Sequence, residues 1–242
     1  MLICRRLFLW CLTLGVAATL AAGCREQPTP RVLLISLDGF RWDYRARFET
    51  PSLDAIASRG ASAGQLQPGF PTKTFPNHFT LVTGLVPDHH GVVSNTMRDP
   101  AIPGVTFSMS NRDAVLDARW WAAEPIWNTL EKVGKRTAPL LWPGAEAPIG
   151  GIRPWRWVEY QQNLSDDQRI DMVLDLFAGP EAGWPVFATM YWHAVDDAGH
   201  RYGPRSAEVQ VAVESVDVAL GRLADGHGGD GIRGQRSRSS LR

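Results

Sequence analysis

The residues that could do chemistry in this sequence are few, and their types narrow the chemistry at once. Asp38 closes an apolar run from Arg31 to Leu37, while Asp196 and His200 lie four apart, shortly after a second apolar run that ends at Tyr191. Carboxylates and imidazole are ligands that suit Zn²⁺ where no thiolate is available. The three cysteines, Cys4, Cys11 and Cys24, all sit near the N-terminus. This excludes a Cys-based zinc site, a disulfide framework and a cysteine nucleophile from the folded part. A loop or a helical turn would aim Asp196 and His200 at one ion, and Asp38 would serve a second. Taken singly, each carboxylate is equally a turn former or a helix cap.

Thr74 carries a different kind of signal. It precedes a predicted helix from Asn77 to Leu85, whose N-terminus would favour an anion beside it. A threonine hydroxyl is a poor nucleophile until a base or a metal lowers its pKa. The competing reading is a plain N-cap.

Elements that could hold these residues are readable from pattern. The runs Arg31–Leu37 and Pro185–Tyr191 are rich in branched and aromatic residues, as strands buried on both faces are. Thr50-Pro51 opens a short helix with Thr50 as N-cap and Gly60 after its end. A further helix runs from Glu124-Pro125 to about Gly134, and Ser165-Asp166-Asp167-Gln168 forms a capping box before Ile170, Val173, Leu174 and Phe177. Ser206 caps a helix with Val209, Ala212, Val213, Val216, Leu220 and Leu223 on one stripe. Pro139, beside Leu140-Leu141, marks a strand edge or bulge. Strands alternating with helices specify an α/β fold of three layers, an α/β/α sandwich with a mostly parallel sheet.

The ends read differently. Arg5-Arg6, the apolar run Leu7–Leu20 and small residues up to Gly23 have the three regions of a secretory signal over residues 1–23. Gly23-Cys24 resembles a lipoprotein box, which would attach the chain to a membrane through a lipidated Cys24; a simple cleaved signal and an uncleaved anchor are the alternatives. Residues 24–30 form a short tether. An exported protein, periplasmic or membrane-anchored, is expected. Residues 224–242 are rich in Gly, Arg and Ser, a composition expected to be disordered. Lys plus Arg and Asp plus Glu are both 25, giving zero net charge, which argues against binding a nucleic-acid polymer.

One set of motifs, in order from Leu33 to about Leu223, is similar to the nucleotide pyrophosphatase/phosphodiesterase family of the alkaline phosphatase superfamily. It comprises Leu37-Asp38-Gly39-Phe40-Arg41, Pro71-Thr72-Lys73-Thr74-Phe75-Pro76-Asn77-His78, Gly84-Leu85 through His90-Gly91 to Asn95, Glu124-Pro125-Ile126-Trp127, Trp142-Pro143-Gly144, and Asp196 through Gly199-His200 with Gly203-Pro204. The resemblance implies hydrolysis of phosphodiester or pyrophosphate bonds in a small nucleotide or related ester through a covalent phosphothreonine on Thr74. It implies two zinc ions, with Asp38 and Thr74 at one and Asp196 and His200 at the other. Asn95 matches a residue that donates to a phosphate oxygen, Phe75 matches the aromatic that stacks on the base, and Tyr160 is matched loosely to the opposite wall.

His78, His89 and His90 match no metal position of the family and read as structural. His193 and His227 have no evident partner. Six tryptophans between Trp120 and Trp157 suit core packing or a pocket wall alike.

The family completes its zinc sites with an Asp-His pair and a later histidine, for which no match is found after Leu223. The expectation is therefore the N-terminal part of a hydrolase whose reading frame is lost near that residue, with the second-half zinc ligands missing; a basic interaction tail is the alternative. Two other functions stay open: phosphomonoester or phosphonate hydrolysis on the same scaffold, and a non-catalytic lipid-anchored remnant. A sulfatase is disfavoured, since no cysteine lies near Thr74.

Overall fold

The computed structural model describes residues 29–226, and all but the first two belong to the unit that begins at Arg31. The predicted signal, Cys24, most of the tether and the tail from residue 227 lie outside the described residues. Among the described residues, no helix is long and apolar enough to cross a membrane.

In chain order the elements are β1 (Val32–Leu37), α1 (Tyr44–Arg47), α2 (Pro51–Ser58), α3 (Thr74–Thr83), α4 (Pro87–His90), β2 (Thr96–Met97), β3 (Phe107–Ser108), α5 (Arg112–Leu116), α6 (Ile126–Lys132), β4 (Thr137–Leu140), α7 (Asp166–Leu176), β5 (Phe187–Trp192), α8 (Ala194–Tyr202) and α9 (Ala207–Gly226). The main sheet has the order β1-β5-β4 with both pairings parallel; β2 and β3 form a separate antiparallel ribbon.

Side-chain alternation on β5 separates the two helical layers. The Tyr191 ring meets His78 of α3 on one face, and Trp192 Nε1 donates to Asp166 of α7 at 2.7 Å on the other. Helix α9 packs on α7, α8 and α2, burying Val209, Val213, Val216, Leu220 and Leu223 along the predicted stripe. The fold is thus α/β, with a parallel sheet between helices.

Several expectations need adjusting. The centre of the described sheet is β5, buried throughout, whereas β1 is an outer strand and only half-buried from Leu33 to Leu37. Pro139 does fall on the outer strand β4. Its backbone shares parity with Thr137 and Leu141, which bond outward to Arg156 and Val158, so its missing N–H is absent from the side away from β5. Helix α9 runs to Gly226, past the expected start of the tail. The capping box at Ser165 is present with both hydrogen bonds, and Ser206 accepts from the Val209 N–H at 3.2 Å.

Thr50 stands at the N-cap position of α2, but its side chain does not cap the helix; its hydroxyl donates to the Arg45 carbonyl instead. The cap comes from α9. The buried Asp217 carboxylate accepts the Ser52 and Leu53 N–H groups at 3.0 and 2.8 Å. The approach is close enough that a Cβ on Gly221 would meet Ser52 Oγ at 2.6 Å. Asp217→Ala leaves two half-buried donors unanswered and should lower stability by about 1–3 kcal/mol. Equilibrium urea denaturation would read this; a loss below about 0.5 kcal/mol would mean that water caps α2 equally well.

Candidate active site

Strands β1 and β5 end in register, Leu37 beside Trp192, and the Asp38 N–H continues the ladder to the Trp192 carbonyl at 2.9 Å. Asp38 and the start of α8 are therefore held at the same carboxyl edge of the sheet, where open parallel sheets bind ligands. Asp38 Oδ2 accepts the Thr74 hydroxyl at 3.1 Å and the Tyr191 hydroxyl at 2.9 Å. Oδ1 takes the Gly39 N–H at 3.1 Å.

Thr74 is the first residue of α3, three positions before the expected start at Asn77. Pro76 falls within that first turn, where proline is tolerated because its missing N–H has no intrahelical partner to lose. Lys73 is the N-cap residue, and the Thr74 side chain points to Asp38 rather than capping. One turn on, the buried His78 donates from Nδ1 to the Thr74 carbonyl at 2.7 Å and accepts the Ser36 hydroxyl at Nε2, 2.8 Å away. This imidazole joins the first turn of α3 to β1.

Asn95 accepts the Phe75 N–H through Oδ1 at 2.9 Å, which makes Nδ2, the donor end, the free end of the amide. Asp196 and His200 share one face of α8, with His200 Nε2 3.5 Å from Asp196 Oδ1 and His200 largely exposed. Burial, and next the charge of Asp38, hold the Asp196 carboxyl above its ordinary range. Burial and then the same charge push the Tyr191 phenol up. A concentration of negative potential thus lies at the sheet edge, the setting that a cation relieves.

A cavity of about 190 Å³ opens beside Thr74, lined among others by Phe75, Trp142, Tyr160, Tyr191, His193 and Asp196. Phe75 is braced edge-on by Phe107 and Trp121. The Tyr160 N–H donates to the buried carboxylate of Glu146 at 2.9 Å, and Glu146 is ion-paired with Arg112. Of the six tryptophans, Trp142 alone lines the cavity; Trp120, Trp121 and Trp127 are core, and Trp155 and Trp157 stack under Arg136 and Arg153.

The structure thus brings Asp38, Thr74, Phe75, Asn95, Tyr160 and Asp196 around one edge, with His200 at its rim. Sequence reasoning missed Tyr191, read there only as a strand residue, and Ser36 and Glu146, whose partners lie far along the chain. It also left His193 without a partner, whereas Arg169 of α7 reaches its Nδ1 at 3.1 Å. Among the described residues, no three His, Cys, Asp or Glu side chains converge as a metal site. Asp38 with Thr74 and Asp196 with His200 have the right donor types for zinc, but two donors each fall short of the usual three protein ligands.

His78, His90 and His193 all have pKa values held below the ordinary histidine value, burial being the first cause in each. In acid the unfolded chain therefore binds more protons than the folded one. This stability is complete above the ordinary histidine pKa and is lost as pH falls through the lowered folded values. The urea midpoint should drop from about pH 7 to about pH 5. His90, bonded to the Thr80 hydroxyl and the Val92 N–H, is remote from Asp38, and His90→Gln should flatten that slope by up to one proton. An unchanged slope would show that His90 protonates alike in both states.

Comparison with known proteins agrees with this architecture. The family model described as type I phosphodiesterase/nucleotide pyrophosphatase matches residues 32–235. Human ectonucleotide pyrophosphatase/phosphodiesterase family member 1 is 38% identical over 200 residues, covering 82% of this chain and 21% of its own length. An uncharacterized pyrophosphatase/phosphodiesterase of Schizosaccharomyces pombe is 39% identical over 196 residues, covering 81% of this chain and 40% of its own length. The structure of murine ectonucleotide pyrophosphatase/phosphodiesterase 5 superposes with a TM-score of 0.76 at 35% identity, over 82% of this chain and 52% of that one. An inactive threonine-to-alanine form of the murine protein is known in complex with AMP. The chain spans about half of that solved relative and less of the others. With the match running from β1 to beyond α9, the chain belongs to the type I phosphodiesterase/nucleotide pyrophosphatase family.

Proposed function

We propose that this chain carries the nucleophile half of an exported hydrolase that cleaves phosphodiester or pyrophosphate bonds of small nucleotides through a phosphothreonine on Thr74. The observation that carries the reading is the Thr74 hydroxyl, bonded to Asp38 and opening on a cavity walled by Phe75 and Tyr160. With its hydrogen directed to Asp38 Oδ2, Oγ1 presents its lone pairs to phosphorus. Attack forms the Oγ–P bond as the bond to the leaving oxygen breaks; water then cleaves the phosphothreonine and releases a monophosphate. Asn95, oriented by the Phe75 N–H, donates to a non-bridging oxygen as charge builds there. Phe75 and Tyr160 hold the base.

Asp38 with Thr74, and Asp196 with His200, are the halves of two zinc sites that this chain contributes; zinc, when bound, supplies the positive charge that lowers the Thr74 hydroxyl pKa. The AMP complex of the murine relative supports a nucleotide substrate. The ecto- and venom enzymes among the relatives support export, in line with the predicted signal and lipidated Cys24.

The test pairs zinc content with hydrolysis of p-nitrophenyl thymidine monophosphate and of p-nitrophenyl phosphate, in this chain and in a version extended to the length of the solved relative. Preference for the diester, with loss on chelation, supports the reading. Preference for the monoester supports the phosphomonoesterase alternative, and a metal-free, inactive extended version supports the remnant.

A further inference from the structure

His193 and Arg169 play no part in the chemistry above, yet His193 lines the cavity and Arg169 bonds to it from behind. Arg169 is fully buried, and its hydrogen bonds go to two carbonyls and a ring nitrogen rather than to a carboxylate. Nη1 donates to the Tyr191 carbonyl, and Nη2 donates to the Gln161 carbonyl and to His193 Nδ1, each at 3.1 Å. A guanidinium can only donate, so Nδ1 must accept. The imidazole is thereby held neutral with its hydrogen on Nε2.

That hydrogen belongs to the cavity side. His193 and Asp197 both line the cavity, and His193 Nε2 stands 3.6 Å from Asp197 Oδ2, too far for a hydrogen bond between them. A fixed donor beside a charged acceptor, not bonded to each other, selects what enters. A phosphate or carboxylate oxygen would be repelled by Asp197, and a carbonyl would give nothing to Asp197 Oδ2, which takes a long bond from Gln162 Nε2 at 3.4 Å and has lone pairs to spare. A hydroxyl accepts from Nε2–H and donates to Oδ2 together. The Tyr160 ring stands edge-on to His193, with centroids 5.8 Å apart, so this position adjoins the wall assigned to the base.

We propose that His193 and Asp197 form a hydroxyl-binding subsite that takes a sugar hydroxyl of the bound nucleoside, with Arg169 as the positioning residue that fixes His193 as donor. The inference rests on the nucleotide reading of the cavity. It is independent of the nucleophile and of metal, because an uncharged nucleoside engages neither.

The test uses the full 242-residue chain and two uncharged probes, adenosine and 2′,3′-dideoxyadenosine, followed by ligand-observed NMR. Adenosine should bind about five- to ten-fold more tightly, and Asp197→Ala, at a half-exposed position, should bring that ratio to about one. His193→Phe should do the same while keeping the ring beside Tyr160. Long-range ¹H–¹⁵N correlation on the wild-type chain should show His193 with a bare Nδ1 and a protonated Nε2, a signature that mere packing would not require. Equal binding of both nucleosides, a preference that survives Asp197→Ala, or a hydrogen on Nδ1 would overturn the subsite while leaving the nucleotide cavity standing. If neither nucleoside binds, the nucleotide reading falls and the subsite with it.

Discussion

Thr74→Ala should reduce turnover of p-nitrophenyl thymidine monophosphate by at least about 10³-fold in the version extended to the relatives' length, while AMP affinity stays within a few-fold. The substitution removes one oxygen and one methyl from a side chain that caps nothing: Lys73 holds the N-cap position of α3, and the Thr74 hydroxyl spends its hydrogen on Asp38. Asp38 Oδ2 still accepts the Tyr191 hydroxyl, so no buried carboxylate is stranded, and the urea midpoint should move by no more than about 0.5 kcal/mol equivalent. Thr74→Ser keeps the oxygen and should retain measurable turnover. The same experiment separates nucleophile from positioning residue. His78 holds the Thr74 carbonyl, so His78→Phe should lower turnover and stability together. Residual activity in Thr74→Ala within about ten-fold of wild type, or substrate phosphorus trapped on another side chain, would remove Thr74 from the role.

What could be read from the sequence, and what could not, follows the range of the interactions. The capping box at Ser165 was legible because both partners lie within one turn, and the stripe along α9 because burial repeats every 3.6 residues. The N-cap of α2 was not: Thr50 is the right residue at the right place, but the working cap is Asp217, 164 residues beyond Leu53. Arg169 and His193 failed for the same reason, since nothing local marks an arginine as the donor that fixes a distant imidazole. The start of α3 failed differently. The expected start at Asn77 falls just past Pro76, although a first-turn proline costs a helix nothing, and it sets Thr74 outside the helix it opens. As for β1, its apolar run resembles that of a strand buried on both faces, yet it lies outermost among the described strands; composition reports the burial a segment suits, and neighbours decide what it receives.

The glycine after Asp38 carries the second large effect. Gly39→Ala should destabilise the fold by about 2–5 kcal/mol and lower activity by more than about 10²-fold. Gly39 has φ +68°, in the left-handed region that disfavours a side chain, and a Cβ there would lie 2.6 Å from Asp196 Cα and 2.8 Å from Asp196 N. Both are backbone atoms in the first turn of α8, so no side-chain rotation relieves the collision. Either α8 moves away from the end of β1, drawing Asp196 from Asp38, or the turn flips and the Gly39 N–H leaves Asp38 Oδ1. Each route separates the two carboxylates that the sheet edge brings together, so zinc content in the extended version should fall along with turnover. Gly199→Ala supplies the control: that glycine lies in the same helix, and a Cβ on it meets nothing within 4 Å. It should stabilise the helix by up to about 1 kcal/mol and leave zinc content unchanged. If both variants behave alike, the contact between the Asp38 turn and α8 does not hold the site together, and the spacing of Asp38 and Asp196 must be set elsewhere.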